Sequence, residues 1–222
     1  MQLTNIKLGI GIPLSWPFIP APFFDSFVAM EKPIYEYIRS NNGPIDAMRN
    51  DLVNMAKMAG CTHLVMMDSD MIYHPKTIAR LLSHRLPIVG ALCYRRYPPF
   101  DPLMYKGKLN EFKTVEEWEP DSLVEVDATG TGCLMIDMDI FNNMAEPWFE
   151  FVENPDKERG GIIGEDFYFC HKLREAGYQI YVDTSVPSGH LCLFEVTRET
   201  WLMNKYIQKI KERRDEDGKE SR

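Results

Sequence analysis

Asp68 and Asp70 close an apolar run at residues 61–70, Cys-Thr-His-Leu-Val-Met-Met-Asp-Ser-Asp. An apolar run that follows a helix-like segment reads as a buried parallel strand. Acids at its carboxyl end lie at the rim where open α/β sheets bind ligands. Residues two apart in extended backbone point to the same side, which puts the two carboxylates about 6 Å apart. At an effective dielectric of about 20 they repel by roughly 3 kcal/mol. Such a pair is tolerable where it binds a cation, shares a proton or stays wet. Oxygen ligands of this kind favour Mg²⁺ or Mn²⁺ over zinc.

The chain supplies its own controls for this motif. Asp137-Met-Asp139 also follows an apolar run, and Asp215-Glu-Asp217 lies in a charged tail. Asp137 reads as the N-cap of a helix over residues 138–144. Chemistry at Asp68 and Asp70 therefore depends on what accompanies them.

The elements that must position the pair follow from periodicity and turn residues. Strands are expected over residues 7–12, 34–39, 62–67, 87–92, 123–127, 133–136 and 178–182. Helices are expected over 23–31, 44–59, 75–83, 138–144, 165–176 and 195–214. In the helix before the central strand, Ile45, Met48, Leu52, Val53 and Met55 follow a 3.6-residue period. Pro44 opens that helix and Gly60 stops it. Residues 13–22 form an aromatic, proline-rich loop, and 95–120 read as irregular. Residues 154–164 are polar and glycine-rich, a mobile loop. Strand–helix alternation implies an α/β fold with a mixed, mostly parallel central sheet flanked by helices. No linker or repeat breaks the chain. One domain over residues 1–214 is expected, with 215–222 a disordered tail.

Composition narrows the function. The chain has 222 residues, 45% hydrophobic and 26% charged, the balance of a globular protein. No apolar run is long enough to span a membrane. The amino terminus has no basic region followed by an apolar core, so it does not read as a secretory signal. Five widely spaced cysteines without a Cys-x-x-Cys pattern argue for reduced thiols, a cytoplasmic location and no structural zinc. A formal net charge of −8 disfavours nucleic acid as a partner. Arg95 and Arg96 could still form a local basic groove. His63, His74, His84 and His171 read as structural.

Three further segments accompany the acid pair. Residues 43–53, Gly-Pro-Ile-Asp-Ala-Met-Arg-Asn-Asp-Leu-Val, lead into the helix before the central strand. Residues 127–136, Asp-Ala-Thr-Gly-Thr-Gly-Cys-Leu-Met-Ile, are followed by Pro147-Trp-Phe. Residues 160–177 carry a glycine loop, the pair Glu165-Asp166 and a helix, and Gly189-His-Leu follows. Acids suit the start of a helix on their own, but the whole combination is specific.

In this order the segments resemble the nucleotide-sugar glycosyltransferases of the GT-A fold, particularly small bacterial and phage-type members, over residues 7–193. The resemblance implies metal ligation by Asp70 and His190, with Asp68 on the metal or the donor. It implies donor contacts from Pro13, Arg49, Asp68 and Ser69. Gly130 and Gly132 would form a floor between donor and acceptor, and Trp148 would stack on the acceptor sugar. Asp166 would be the general base of an inverting reaction, with Glu165 as the second candidate. The cofactor would be Mn²⁺ or Mg²⁺. The donor would be a UDP- or GDP-linked sugar, and the acceptor a glycan, a protein or a modified nucleobase. The 13–22 loop lacks the Asn or Glu pattern common after the first strand in inverting members.

Other readings stay open on sequence alone. One is a haloacid-dehalogenase-like, Mg²⁺-dependent phosphohydrolase, although its Asp-x-Asp normally sits on the first strand. Another is a nucleotide-sugar-binding protein without turnover. A GT-A-like nucleotidyltransferase would want a basic glycine loop after the first strand, and Gly9-Ile-Gly-Ile-Pro13 has no basic residue.

Overall fold

The structure, a computed structural model, describes residues 6–156, 160–193 and 195–220. It divides into two compact units, Met1–Leu191 and Cys192–Arg222. The first half of the larger unit alternates strand and helix: β1 (Leu8–Pro13), α1 (Ala21–Ala29), β2 (Tyr35–Ser40), α2 (Ile45–Met58), β3 (His63–Met67), β4 (Met71–Ile72), α3 (Thr77–His84) and β5 (Ile88–Cys93). The second half holds β6 (Met104–Lys106), β7 (Lys113–Thr114), β8 (Leu123–Val126), β9 (Ala128–Thr129), β10 (Cys133–Asp137), α4 (Met138–Asn143), β11 (Val152–Glu153), β12 (Ile162–Ile163), α5 (Glu165–Glu175) and β13 (Ile180–His190).

Among the described residues the main sheet has eight strands, in the order β2-β1-β3-β10-β5-β13-β4, with β8 also paired to β13. β1, β2, β3, β5 and β13 run in one direction, and β10, β4 and β8 run against them. This is the mixed, mostly parallel α/β sheet that the alternation implied.

β3 sits near the middle and is covered on both faces. Leu64 and Met66 enter one apolar cluster with Leu52, Val53 and Ala56 of α2. Val65 and Met67 enter the other with Ile78 and Leu81 of α3 and Phe23 of α1. The alternation is the period-two geometry of a strand. Burial on both faces explains why its sequence is a continuous apolar run. Gly11 of β1 makes room for it, since a Cβ there would lie 3.1 Å from Leu64 Cδ1.

Helix ends follow local chemistry. Pro44 is the N-cap of α2, and Gly60 follows its end in the left-handed region at φ 67°. Asp137 caps α4 as expected, its Oδ1 accepting from Asp139 N at 2.9 Å. Glu165 and Asp166 lie in the first turn of α5, with Lys172 and Arg174 in its last. Both arrangements suit the helix dipole.

Three expectations change. The irregular 95–120 stretch contributes β6 and β7 to a three-stranded sheet with β9. Of the 154–164 loop, residues 157–159 lie outside the described residues, and Ile162–Ile163 forms β12, paired antiparallel with β11. The last strand of the larger unit continues past residue 182 to His190. Pro187 lies where the register of β13 against β5 shifts between Asp183 and Ser188. An irregular ladder is where a strand tolerates proline.

The smaller unit contains α6 (Arg198–Glu220), which runs past residue 214 where the sequence pattern ends. Thr197 and Thr200 exchange hydrogen bonds across its start, as a capping pair does. No described helix is long and apolar enough to cross a membrane.

Leu64 is fully buried against α2. Leu64→Ala is expected to lower stability by about 2–5 kcal/mol. Chemical denaturation of the full chain measures this, and a loss below about 1 kcal/mol would show that the β3–α2 layer is not the central core.

Candidate active site

β3 delivers Asp68 and Asp70 to one end of the sheet, where they meet residues from four other segments. An open cleft of about 850 Å³ is lined there by Pro13, Arg49, Asp68, Ser69, Asp70 and Arg96, with Trp16 and Phe18 of the loop after β1. All four expected donor residues therefore border one cleft.

Arg49 is the centre of the arrangement. It projects from α2 and is 3% exposed. Its Nη1 and Nη2 donate to Asp68 Oδ1 and Oδ2 at 3.1 and 3.3 Å. Its Nε donates to Glu165 Oε1 at 3.1 Å. Burial disfavours its charge, but the two carboxylates outweigh burial and hold the guanidinium firmly protonated. The planar fork matches a carboxylate with two parallel bonds. Arg49 thus fixes Asp68 and Glu165. The neighbouring Asn50 is structural: its Oδ1 accepts from Trp148 N and Phe149 N at 3.0 and 3.1 Å.

Asp70 belongs to a different set. Its Oδ2 accepts from Arg96 Nη1 at 2.6 Å and lies 3.3 Å from His190 Nε2. β13 brings the histidine there through its pairing with β4, which sets His190 opposite Met71. Leu191 N also donates to Asp70 O at 2.8 Å. His190 Nδ1 donates to Tyr94 O at 2.8 Å, which leaves Nε2 facing Asp70. A backbone carbonyl on the far nitrogen is how proteins orient a metal-binding imidazole. Partial burial works against both charges. The mutual hydrogen bond outweighs it, so Asp70 titrates below the usual carboxylate value and His190 above the usual imidazole value.

The glycine segment runs past both ends of the site. A Cβ on Gly132 would lie 3.3 Å from Asp68 Oδ2, and one on Gly130 would lie 3.7 Å from Asp166 Oδ2. Gly132 O accepts from Asp68 N at 3.0 Å and from Tyr73 OH at 2.7 Å, while the same hydroxyl is 2.8 Å from Asp68 O. Tyr73 thus pins the glycine segment to the end of β3. Tyr73 is the residue that sequence reasoning did not place, its one signal being proximity to the motif. Arg96 was named there with Arg95 for a local basic groove, but not its pairing with Asp70.

Asp166 differs from its neighbour. Glu165 is buried on Arg49, whereas Asp166 is half-buried and accepts from Phe167 N at 2.8 Å. Burial, then the adjacent Glu165 charge, push its carboxyl up to about 7, against the pull of Arg49. A carboxyl poised near neutrality suits proton transfer.

Trp148 corrects the sequence reading. It is 1% exposed, edge-on to Phe141 at 5.4 Å, with Lys57 Nζ 4.4 Å over its ring. A ring enclosed on these sides is core and has no face for a sugar. His84 is structural too, 2.6 Å from the buried Asp183. Burial pushes the Cys133 and Cys170 thiols up to about 12, which removes thiolate chemistry at those positions. A second cavity of about 590 Å³ opens by His63 and Asp137, at the other end of β3. Its Asp137 caps α4 and its Lys57 donates to Phe141 O at 3.2 Å.

Asp70 and His190 fit a divalent cation as a partial ligand set. Among the described residues no third His, Cys, Asp or Glu completes a cage. Two protein donors on an open cleft are what Mg²⁺-type sites use when substrate phosphates and water supply the rest. Asp68, with both oxygens on Arg49, is less suited to a metal than Asp70.

At the level of sequence, no family profile and no curated protein matches the chain. At the level of fold it is similar to solved structures. A197 from STIV aligns with a TM-score of 0.57 and 16% identity, over 85% of this chain and 87% of that one. GalNAc-T7, solved with UDP, GalNAc and Mn²⁺, aligns with a TM-score of 0.55 and 11% identity, over 87% of this chain. The alignment spans 45% of the GalNAc-T7 chain. The fold is of the GT-A type.

Removing Arg49 leaves the buried Glu165 and the partly buried Asp68 without its charge. Arg49→Met is expected to lower stability by about 3–5 kcal/mol. Adding Glu165→Gln should recover part of that loss, because one of the unpaired charges goes with it. A double-mutant cycle by chemical denaturation checks the coupling, and strictly additive losses would mean that the pair is not coupled.

Proposed function

We propose that the protein is a metal-dependent glycosyltransferase that moves a sugar from a nucleoside-diphosphate sugar to an acceptor hydroxyl with inversion. The observation that carries this reading is the Gly130–Gly132 segment, which lies against Asp68 at one end and Asp166 at the other. A donor-side acid cluster and an acid near neutrality lie on either side of this close-packed backbone, where a Cβ on Gly130 would also strike Leu103 Cδ1 at 2.9 Å. The GT-A-type fold and the Mn²⁺ and UDP bound to GalNAc-T7 support the same class.

In this reading Asp70 and His190 hold Mn²⁺ or Mg²⁺, which supplies Lewis-acid neutralisation of the leaving diphosphate. Asp68 and Ser69 face the donor, and Arg49 keeps the Asp68 carboxylate in place. Pro13 ends β1 at the cleft wall, where Trp16 and Phe18 offer exposed rings to a nucleobase. Gly130 and Gly132 let the backbone pack closely between the donor-side acids and Asp166. Asp166 takes the proton from the acceptor hydroxyl. Glu165 is already bonded to Arg49, so Asp166 is the better base. The donor is UDP- or GDP-linked, and the acceptor is a glycan, a protein or a modified nucleobase. Asp68, bonded through both oxygens, is poorly disposed to act as the nucleophile of a phosphohydrolase.

Two measurements test the two halves of the site. Asp70→Asn keeps the side-chain size and removes the charge. It is expected to abolish Mn²⁺-dependent binding of UDP or GDP in calorimetry while leaving the fold intact. Undiminished affinity would remove Asp70 from the metal site.

The second concerns pH. A base must be deprotonated to act, and Asp166 is pushed up to about 7. Activity should therefore rise as pH increases through that value. Asp166→Asn should lower turnover about 10²-fold or more and flatten that limb of the profile, with donor affinity little changed. A variant that turns over normally would exclude Asp166 as base, and a product with retained configuration would leave it an acceptor-orienting role.

A further inference from the structure

The cleft is lined by two cations, Arg49 and Arg96, and their situations differ. Arg49 is buried, with its Nε, Nη1 and Nη2 all committed to carboxylates. Arg96 follows β5 on an exposed segment, and its side chain is 42% exposed. Its guanidinium lies 5.3 Å from the exposed ring of Tyr97. Its hydrogen bond of 2.6 Å goes to Asp70 Oδ2. The same oxygen faces His190 Nε2. Arg96 thus sits on the carboxylate that, in the reading above, ligates the metal.

A guanidinium and a divalent cation cannot share that oxygen without strong like-charge repulsion. One must yield. An exposed ion pair is weak, because water screens it and holding a long side chain costs entropy. Arg96 is therefore the group that moves. Released, it stays at the wall of the same cleft, where a diphosphate would need cationic partners. Arg49 is buried and each of its nitrogens already donates to a carboxylate, so it is less available for that role than Arg96.

We propose that Arg96 is a placeholder cation: it holds Asp70 in the free protein, and exchanges Asp70 for a diphosphate oxygen when cation and nucleotide bind. The inference rests on the metal and nucleotide site proposed above. It makes Arg96 a specificity residue for a diphosphate over a monophosphate, and it links metal binding to nucleotide binding. Without nucleotide, Arg96 competes with the metal. With nucleotide, it adds to the bound state.

The two roles have opposite signs in one variant, which makes them separable. Arg96→Gln keeps most of the length and removes the charge. Mn²⁺ alone, followed by the paramagnetic resonance signal of the free ion, should bind the full-length variant roughly three- to five-fold more tightly than wild type, the equivalent of an exposed ion pair. UDP and GDP are then titrated calorimetrically at saturating Mn²⁺. Whichever binds wild type should bind Arg96→Gln about ten-fold or more weakly, the cost of losing a charged hydrogen bond. The matching monophosphate should lose less. Arg96→Lys, which keeps the charge, should fall between the two on both counts. Unchanged Mn²⁺ affinity, or shifts of the same sign for metal and nucleotide, would overturn the placeholder role while leaving the site itself standing. If wild type binds neither Mn²⁺ nor either nucleotide, the glycosyltransferase reading falls, and the role of Arg96 falls with it.

Discussion

The site depends on one buried cation. Arg49 reaches from α2 between Asp68 on the end of β3 and Glu165 at the start of α5. Without it, two acids from distant parts of the chain would repel each other where water is scarce. With it, the ends of three elements are tied into one electrostatic unit. The bond lengths of 3.1–3.3 Å and the 3% exposure of Arg49 are those of a fixed strut. A residue in that role positions others and has little freedom to follow a ligand. A buried ion pair does not guarantee net stability, because desolvation opposes it. Its clearer consequence is geometric, since the planar fork fixes the orientation of the Asp68 carboxylate.

That neutralisation also divides the acids by role. Glu165 and Asp68 share the charge of Arg49, and Asp70 has His190 and Arg96. Among the described residues Asp166 has one backbone hydrogen bond, and the repulsion of Glu165 opposes the more distant pull of Arg49. Adjacent residues in one helical turn thus have opposite fates, one committed to a cation and the other held near neutrality. The difference arises from which side of the helix start faces α2. It is a common route by which environments push the pKa values of like groups apart.

Backbone pairing completes the site. The two-residue strand β4 directly follows the acid motif and pairs with the end of β13, so His190 arrives next to Asp70 across a long sequence separation. Tyr73, immediately after β4, turns back to pin Gly132 to Asp68. A short strand and one phenol therefore locate both the imidazole and the glycine floor. The rigid part of the site lies around Arg49, Tyr73 and Gly132, and the exposed part lies around Arg96, Trp16 and Phe18.

The sequence alone determined the elements that local chemistry controls. The apolar run of β3, the Pro44 and Gly60 limits of α2, the Asp137 cap of α4 and the acids at the start of α5 were legible. Each depends on periodicity, turn residues or a cap within a few positions. The candidate site was legible as a set of residue types in order, but not as a set of partners. Arg49 reads as a donor contact until its burial on Asp68 and Glu165 is seen. Trp148 reads as a sugar platform until Phe141 and Lys57 enclose it. The extent of β13, the short strands β6 and β7, the place of Tyr73 and the pairing of Arg96 with Asp70 were not legible. These follow from pairing and charge compensation between residues far apart in the chain. Only the folded sheet decides which of them meet, because strand register and burial are properties of the assembled layers and not of any local segment.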